Sequence, residues 1–471
     1  MSTARRVLKN FLSLTFAQII CNLLGFVGVA YLARVLGVEG FGSIGFAFAI
    51  VSYFLLLNNL GFDTFGTREI ARDKEKINQY VNNILSLKLF ASFVAFFLLL
   101  VFVLVIPKPT EVKKLILFYG LTMFSSTLTV EWVFMGLEKM EMIAFSRILR
   151  QIFYVLLIIL LVKSSKQIYL VPWALFISSI IGASILLYCL FRNLKFEVKW
   201  KLWKEILKQS LPIGLSSIMI QIYLSSAIII LGFMKGEKAV GWYNAAYRIV
   251  LLIGAIGLLY YSSIFPLISR CFKSSMEKLR TILTYTIKLT IIVALPLGIG
   301  GIFVAKPIMK IIYGKEFDPG IIPFQILIWS MIIGWFSCIY GNSLIACDKQ
   351  KKYMLGITLG AISNVLLNLA LIPYFGLVGA SITTIASELV VFASMYFQLS
   401  KIIEIKFHKF LLKPLMASIL MGAFLFLTEN FLHLFMWIMT AVIVYSVFLF
   451  IFKGMPVEEI KSLKAEIFPK Q

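Results

Sequence analysis

Very few ionisable side chains lie inside the long apolar segments of this sequence, and those few are the residues that could do chemistry. Arg248 lies inside one such segment, soon after Trp242, Tyr243 and Tyr247. A guanidinium group can hold a phosphate or diphosphate through paired hydrogen bonds, which favours Arg248 as a ligand for such an anion. The alternative is that Arg248 reaches the outer membrane surface beside a belt of aromatic residues.

Four other arginines stand at the ends of apolar segments. Arg34 ends the first segment and Arg68 ends the second, so the two would lie on opposite membrane surfaces and could each contact an anionic ligand. Arg147 and Arg150 begin the fifth segment, where they could form a cytoplasmic patch through which a phosphate group enters. The simpler interpretation for all four is a charge that fixes topology, or an ion pair at a helix end. The nearby carboxylates are Asp63, Glu69, Glu138 and Glu141.

Two glutamates and several amides also lie inside apolar segments. Glu131 and Glu388 could take up a sodium ion or a proton, or could pair with a nearby arginine, and we carry both as candidate ion-coupling sites. Asn22 and Gln221 could line a cavity for substrate or hold helices together. The five cysteines and two histidines show no metal-ligand spacing, so the sequence calls for no metal site and for no cofactor beyond a coupling ion.

The segments that carry these residues set the fold class. Apolar runs of roughly 18–23 residues recur along the chain, and each can cross a bilayer core of about 30 Å as a helix. Hydrophobic residues make up 60% of the sequence and charged residues 14%, so the chain lacks the polar outer face that a soluble domain needs. We predict an all-α polytopic membrane protein with about fourteen transmembrane helices.

Basic residues predict the orientation of these helices. Lys and Arg together number 45 against 22 for Asp and Glu. With the N-terminus inside, the basic residues favour the cytoplasmic linkers roughly three to one, which predicts a multi-pass protein of the inner (plasma) membrane with both termini cytoplasmic. This charge is expected to attract anionic membrane lipids. It is spread over short loops rather than gathered on one domain, which argues against nucleic-acid binding.

The first and seventh apolar segments, each with its following turn, predict an internal repeat, although apolar helices can also resemble one another by chance. Glu39 matches Glu237 and, with one gap, Gly42 matches Gly241. Parallel halves of this kind in transporters place the binding site between them. The predicted divisions are an N-lobe of helices 1–6 (1–191), a cytoplasmic amphipathic linker (192–210), a C-lobe of helices 7–12 (211–400), and helices 13–14 with a cytoplasmic tail (401–471).

The predicted linker has the pattern of a helix lying on the membrane surface. Its sequence WKLWKEILKQS places Trp200, Trp203, Ile206 and Leu207 on one face and lysines on the other. We expect the apolar face to contact lipid and the lysines to lie near phosphate head groups.

Four sequence motifs occur in the order found in one family of membrane proteins. They are GFDTFGTREIAR after the second segment, LPIGLSSIMIQIYLSSAIIILGFMKGEKAVGWYNAAYRIV in the seventh and eighth, IYGKEFDPGIIPFQILIWS with IACDKQKKY around the tenth, and NVLLNLALIPYFGLVGASITTIASE thereafter. On these motifs the sequence resembles prokaryotic polysaccharide flippases of the O-antigen type, in the multidrug/oligosaccharidyl-lipid/polysaccharide exporter superfamily.

The resemblance implies an activity, partners and an architecture. It implies movement of an undecaprenyl-diphosphate-linked oligosaccharide from the inner to the outer leaflet by alternating access, for surface polysaccharide biosynthesis. The partners would be the lipid-linked oligosaccharide, membrane lipids and polysaccharide polymerase machinery, and we expect a monomer. The implied fold is two six-helix lobes around a central cavity, plus two C-terminal helices.

The sequence departs from the family pattern at positions that bear on coupling and cargo. Ala227 stands where many relatives carry an acidic residue, and Asn22, Gly28 and Val29 stand where lipid II flippases carry charges. These departures count against cation coupling at those positions. They favour a capsule or O-antigen-type glycan over lipid II.

Two other functions remain open from the sequence. A cation-coupled exporter of small drug-like molecules would share the fold, but it would favour an acidic cavity, and this chain has little buried acid beyond Glu131 and Glu388. A membrane enzyme such as a polysaccharide polymerase or ligase would need a large external loop with catalytic charge. The external linkers here are short, which argues against an enzyme.

Overall fold

The computed structural model describes residues 3–191, 198–405, 410–428 and 433–454. Throughout these ranges the regular structure is helical, because a chain in lipid must satisfy its backbone hydrogen bonds within each segment. Ten of the described helices are long and apolar enough to cross a membrane. The prediction of an all-α, multi-pass membrane protein is therefore confirmed.

The chain forms two compact units, one of residues 1–248 and 364–380 and the other of 249–363 and 381–471. The helices α9 (Trp200–Ser274) and α12 (Gln350–Ser400) contribute residues to both units. The predicted lobes at 1–191 and 211–400 have different boundaries and remain a prediction.

The first unit contains eight further helices, three of which, α4 to α6, follow one another closely. They are α1 (Thr3–Asn59), α2 (Phe62–Arg72), α3 (Ile77–Val105), α4 (Thr110–Gly120), α5 (Thr122–Thr127), α6 (Glu131–Gly136), α7 (Met140–Leu161) and α8 (Leu170–Phe191).

Glycine kinks interrupt α1 and α9 in the same way. Gly37 in α1 has φ 67° and ψ −177°, and Gly236 in α9 has φ 81° and ψ −179°. Glycine adopts this conformation readily because it has no Cβ. Aligning the two kinks pairs Gly42 with Gly241 without a gap, which supports the internal repeat. The same alignment corrects the predicted match of Glu39, which falls on Lys238 rather than on Glu237.

The two segments that follow these kinks cross in direct backbone contact. A Cβ atom added at Gly42 would lie 1.8 Å from the carbonyl oxygen of Glu237, and one added at Gly241 would lie 2.1 Å from that of Val38. Only glycine permits so close an approach, as at other helix crossings built from small residues in membranes. We refer to this contact as the glycine crossing.

A buried lysine joins the loop between α3 and α4 to the same region. Lys108 donates from Nζ to the Gly232 carbonyl oxygen at 2.6 Å and to Glu237 Oε1 at 2.8 Å. Its ammonium group also lies 4.6 Å from the centre of the Phe46 ring and 5.7 Å from that of Phe233. The side chains of Lys108 and Glu237 are 7% and 16% exposed, so this ion pair is largely removed from water.

The amino-terminal end of α9 departs from the predicted surface helix at Ile206, and Trp203 is only partly exposed because it packs against the core that contains Ile206. Trp200 is 71% exposed and Leu207 is 37% exposed, which fits a lipid-facing side. Ile206 is only 1% exposed because it packs into a core cluster with Phe65, Leu87 and other apolar residues. The prediction that Ile206 faces lipid is therefore wrong, and residues 192–197 of the predicted linker lie outside the described ranges.

The second unit is built around α10 (Met276–Ile312). With it are α11 (Ile321–Ala346), α13 (Leu412–Thr428) and α14 (Leu434–Ile451). The helices α10, α13 and α14 share one apolar core, in which Tyr445 Oη donates to the Ile292 carbonyl oxygen at 2.6 Å. The last two helices are thus integral to this unit.

Candidate functional site

Arg248 lies in the first unit and is half-buried in α9. Its charge acts on the phenol groups of Tyr119 in α4 and Tyr154 in α7. Nearby on α9, Tyr243 is 2% exposed and stacks on Tyr247 with ring centres 5.8 Å apart. Tyr243 therefore packs inside the protein rather than in a lipid-facing aromatic belt. In the described part of the unit, Arg248 pairs with no carboxylate.

Arg147 and Glu131 form a close ion pair between α7 and α6. The guanidinium Nε and Nη2 atoms donate to Glu131 Oε2 at 2.9 and 2.7 Å. Glu131 is 15% exposed, so its charge would be costly without this partner. The sequence suggested that Arg147 could pair at the helix end with Glu138 or Glu141, but Glu141 pairs with Lys9 at 2.6 Å.

Arg150 lies one turn further along α7 and is also half-buried. Gly182 in α8 leaves space for it, since a Cβ atom at Gly182 would lie 2.8 Å from Arg150 Cβ. This face of α7 packs on α1, since a Cβ atom at Gly25 would lie 3.4 Å from Gln151 Nε2, and Cys21 in α1 lies within electrostatic range of Arg147, Arg150 and Glu131. Arg150 forms no ion pair with any residue of the unit that the structure describes.

These side chains form one polar column in the first unit. Arg147, Arg150, Gln151 and Tyr154 are spaced i, i+3, i+4 and i+7, so they share one face of α7 over about 10 Å. Arg248 acts on Tyr154 at the far end of that face. We call Arg147, Arg150, Arg248, Glu131, Tyr119 and Tyr154 the arginine column. Three guanidiniums against one carboxylate leave a net charge of +2, which suits a phosphate or diphosphate ligand.

Arg34 and Arg68 do not belong to this column. Arg68 donates from Nε to Glu69 Oε1 at 2.8 Å, also binds Gln209, and lies 5.3 Å from the centre of the Phe65 ring. This is the predicted ion pair at a helix end. Arg34 is exposed at the end of a helical segment just before the Gly37 kink and has a partner of its own.

The amides predicted to line a cavity mostly join helices or neighbouring turns. Gln221 Nε2 donates to Ser52 Oγ and to Ser225 Oγ, each at 2.6 Å, so it ties α9 to α1. Asn22 accepts a hydrogen bond of 2.8 Å from Gln18 on the same helix. Asn22 is half-buried one residue from Cys21, which leaves it near the arginine column.

Glu388 lies in the second unit, half-buried in α12. A Cβ atom at Gly334 in α11 would lie 3.6 Å from its carboxyl group. Its charge acts on Cys338 and Tyr353 in the same unit. Glu388 has a partner of its own. Gly334 therefore lies in ordinary van der Waals range of this carboxylate.

Sequence reasoning missed two buried ion pairs. Lys88 in α3 is 2% exposed and binds Asp63 Oδ1 at 2.9 Å, while Asn59 donates to Asp63 Oδ2 at 3.0 Å. The other is the Lys108–Glu237 pair. The signal that could have found Lys88 is its place in the otherwise apolar run LSLKLF.

The candidate metal-binding side chains are scattered in the ranges that the structure describes. These ranges contain no group of three or more His, Cys, Asp or Glu side chains that could hold a metal ion. All five cysteines are free thiols. The arginine column holds three guanidiniums, one carboxylate and two phenols, none of which is a preferred metal ligand apart from the carboxylate.

Comparisons with known proteins agree with this architecture. The family model described as "Polysaccharide biosynthesis protein" matches residues 7–272, and the MatE model matches residues 212–370. A Shigella dysenteriae protein named "Putative O-antigen transporter" is 25% identical over 396 residues, covering 81% of this chain and 97% of that protein.

Two solved structures show the same fold. The inward closed conformation of the lipid II flippase MurJ has a TM-score of 0.79 at 17% identity, covering 94% of this chain and 98% of its own. An inward-facing multidrug resistance transporter of the MATE family has a TM-score of 0.66 at 17% identity, covering 81% and 95%. At such identities the likeness establishes the fold alone.

Proposed function

This chain belongs to the polysaccharide biosynthesis protein family of the multidrug/oligosaccharidyl-lipid/polysaccharide exporter superfamily, and we propose that it flips an undecaprenyl-diphosphate-linked oligosaccharide from the inner to the outer leaflet. Its relatives are transporters and flippases rather than enzymes. The proposed role is the supply of lipid-linked glycan for a surface polysaccharide, of capsule or O-antigen type.

The observation that carries this proposal is the arginine column. A diphosphate leaving the head-group region for a low-dielectric interior loses its hydration, and fixed guanidiniums replace those lost contacts. Arg150 and Arg248 are the proposed ligands, because neither is neutralised by a carboxylate in the described part of the unit. Arg147 adds charge while it is held in place by Glu131.

We further propose fourteen spans with both termini in the cytoplasm of a plasma-membrane protein. Three of the ten long apolar helices have 61, 75 and 51 residues, and the shortest of these would measure about 77 Å, far more than one bilayer crossing needs. Each contains a non-helical glycine, at Gly37, Gly236 or Gly376. Dividing each of these three helices at its glycine raises ten spans to thirteen, and α13 is the fourteenth.

Transport by alternating access between two lobes is the proposed mechanism. The repeated kinks at Gly37 and Gly236 and the crossing of the segments after them supply a contact that could part and re-form on one side of the membrane. Coupling to Na+ or H+ is proposed at Glu388. Glu131 is the weaker candidate for coupling because Arg147 already neutralises it.

The alternative is a cation-coupled exporter of small drug-like molecules, which the MatE match and the likeness to a multidrug transporter keep in view. Its cargo would often be cationic. The net positive charge of the arginine column would repel such a cargo, so the flippase is the better-supported function.

The experiment is complementation of a bacterial strain that lacks its own polysaccharide flippase. We expect this protein to restore surface glycan and to clear the lipid-linked glycan that accumulates at the inner leaflet. Extraction and mass analysis of that lipid would also identify the sugar. Export of a cationic dye without any restored glycan would favour the drug exporter instead.

A further inference from the structure

A small basic cavity lies in the second unit, and its lining includes none of the residues assigned to cargo and coupling. It has a volume of about 300 Å³ and is lined by Arg280, Thr281, Thr284, Tyr285, Lys288 and Phe410. Five of these residues come from the first part of α10, and Phe410 comes from the chain just before α13. A volume at the low end of the range for ligand sites suits a head group rather than a drug-sized molecule.

Two cations converge on this cavity from different depths. Lys288 lies eight residues after Arg280, or about 12 Å further along the helix. Side chains on a helix lean toward its amino terminus, so Lys288 reaches back toward Arg280. The Lys288 ammonium lies 5.3 Å from the centre of the Phe410 ring. Arg280 pairs with no carboxylate in the described ranges of its unit.

The two threonines add acceptors beside these cations. Thr281 Oγ1 donates to the Glu277 carbonyl oxygen at 3.0 Å, and Thr284 Oγ1 donates to that of Arg280 at 2.8 Å. Because each hydroxyl proton is used within the helix, the oxygen lone pairs are what these groups offer to a ligand. The cavity therefore combines cations for a phosphate with acceptors for a hydroxyl group.

We propose that this cavity binds the glycerophosphate head group of an anionic membrane phospholipid such as phosphatidylglycerol. Arg280 and Lys288 would hold the phosphodiester, Thr281 and Thr284 would accept from the terminal glycerol hydroxyls, and Phe410 would pack against the glycerol backbone. A lipid is favoured over a soluble phosphate because Lys288 lies where the apolar stretch of α10 begins, so a head group held there would keep its acyl chains beside that stretch. The proposal does not depend on the cargo of the protein.

The test measures lipid binding to the purified, delipidated full chain by native mass spectrometry. We expect one phosphatidylglycerol to bind more tightly than phosphatidylcholine. Arg280→Gln and Lys288→Gln should each weaken it about fivefold, as the loss of one surface cation near a lipid phosphate predicts. The matched control is Lys278→Gln, which removes an exposed charge from the same turn outside the cavity and should leave binding unchanged.

A second variant, Thr284→Val, keeps both cations. Its binding of phosphatidic acid serves as a control that the cavity is still folded. Thr284→Val should weaken phosphatidylglycerol about fivefold by removing one hydrogen-bond acceptor, but should not affect phosphatidic acid, which has no glycerol hydroxyl to donate. Equal phosphatidylglycerol binding by wild type, Arg280→Gln and Lys288→Gln would overturn the proposal. So would displacement by inorganic phosphate at equal concentration, or a preference for undecaprenyl phosphate, since either would assign the cavity to another anion.

Discussion

In the described part of the first unit, the half-buried guanidiniums of Arg150 and Arg248 pair with no carboxylate, whereas in the second unit the half-buried charge considered for a ligand is the carboxylate of Glu388. Arg150 and Arg248 face phenols and small side chains of α1, α4, α7 and α8. Glu388 faces Gly334 and Cys338 of α11. A buried charge is costly unless something compensates it, so the proposed roles differ: binding of the anionic cargo for these two guanidiniums, and ion coupling for Glu388.

Within the first unit, the charges that hold helices together can be told apart from those proposed to bind a ligand. Glu131, Asp63 and Glu237 in the first unit are each bound by a basic side chain at 2.9 Å or less. Those pairs cancel, and what remains is positive. Substitutions at single residues can test this contrast.

The largest effect is expected from Arg248→Ala, which should lower surface glycan display about 100-fold in the complemented strain. Two charge-assisted hydrogen bonds to the cargo phosphate would be lost, at about 1.5 kcal/mol each. Arg248→Lys should recover only part of the activity, because an ammonium cannot make the paired contact. Display is normalised to protein level, with Arg72→Ala as an exposed control. Normal display by Arg248→Ala would remove it from the site.

The next effect separates Arg147 from Arg150. Arg147→Gln should lower the free energy of unfolding by about 3 kcal/mol, because Glu131 would be left buried and unpaired. Adding Glu131→Gln should restore most of that stability. Arg150→Gln should leave thermal unfolding in detergent unchanged but reduce glycan display. Equal destabilisation by the two single arginine variants would show that Arg150 is also a structural charge.

A smaller change in stability should distinguish the glycine crossing from a glycine of the second unit. Gly241→Ala should cost about 2 kcal/mol, because its Cβ would lie 2.1 Å from the Val38 carbonyl oxygen. Gly254→Ala in the second unit places its Cβ 3.4 Å from Met331 Cγ, an ordinary contact. Thermal unfolding should therefore change little for that control, and similar midpoints for the two variants would argue against a tight crossing.

The smallest effect on rate is expected from Glu388→Gln. Flipping in proteoliposomes should stay within about twofold of wild type without an ion gradient, because an isosteric amide preserves packing. Acceleration by an imposed Na+ or H+ gradient should disappear, since an amide cannot exchange a proton or neutralise a sodium ion. Glu131→Gln is the comparison and should keep the acceleration. An unchanged response in Glu388→Gln would remove the carboxylate from coupling.

The sequence predicts the fold well because the physical constraint is simple. A chain in lipid has to form helices of bilayer length, and apolar runs report that length directly. Arg248 could be found for the same reason, as a cation inside an apolar run. The glycine kinks could be placed only approximately, and the Glu39 match was shifted by one position because pattern alone does not locate φ above zero.

Pairing and burial were harder to predict, as four residues show. Glu131 and Arg147 lie on successive helices, and only the packing of α6 against α7 brings them together. Ile206 lies on the apolar face of its helix, but periodicity does not say whether lipid or protein covers that face. Lys108 has the sequence of an external linker, yet side chains from distant segments enclose it.

The glycine crossing has a consequence for the entropy of transport. Ordering a side chain at a contact costs up to about 2 kcal/mol in lost rotamer freedom, whereas glycine has no rotamers to lose. In the proposed transport cycle, a junction made by Gly42 and Gly241 against backbone carbonyls would therefore open and close with almost no ordering of side chains. Its free energy would rest mainly on dispersion and desolvation, and the entropic cost of each cycle would fall on the flexible sugars and lipid tail of the proposed cargo.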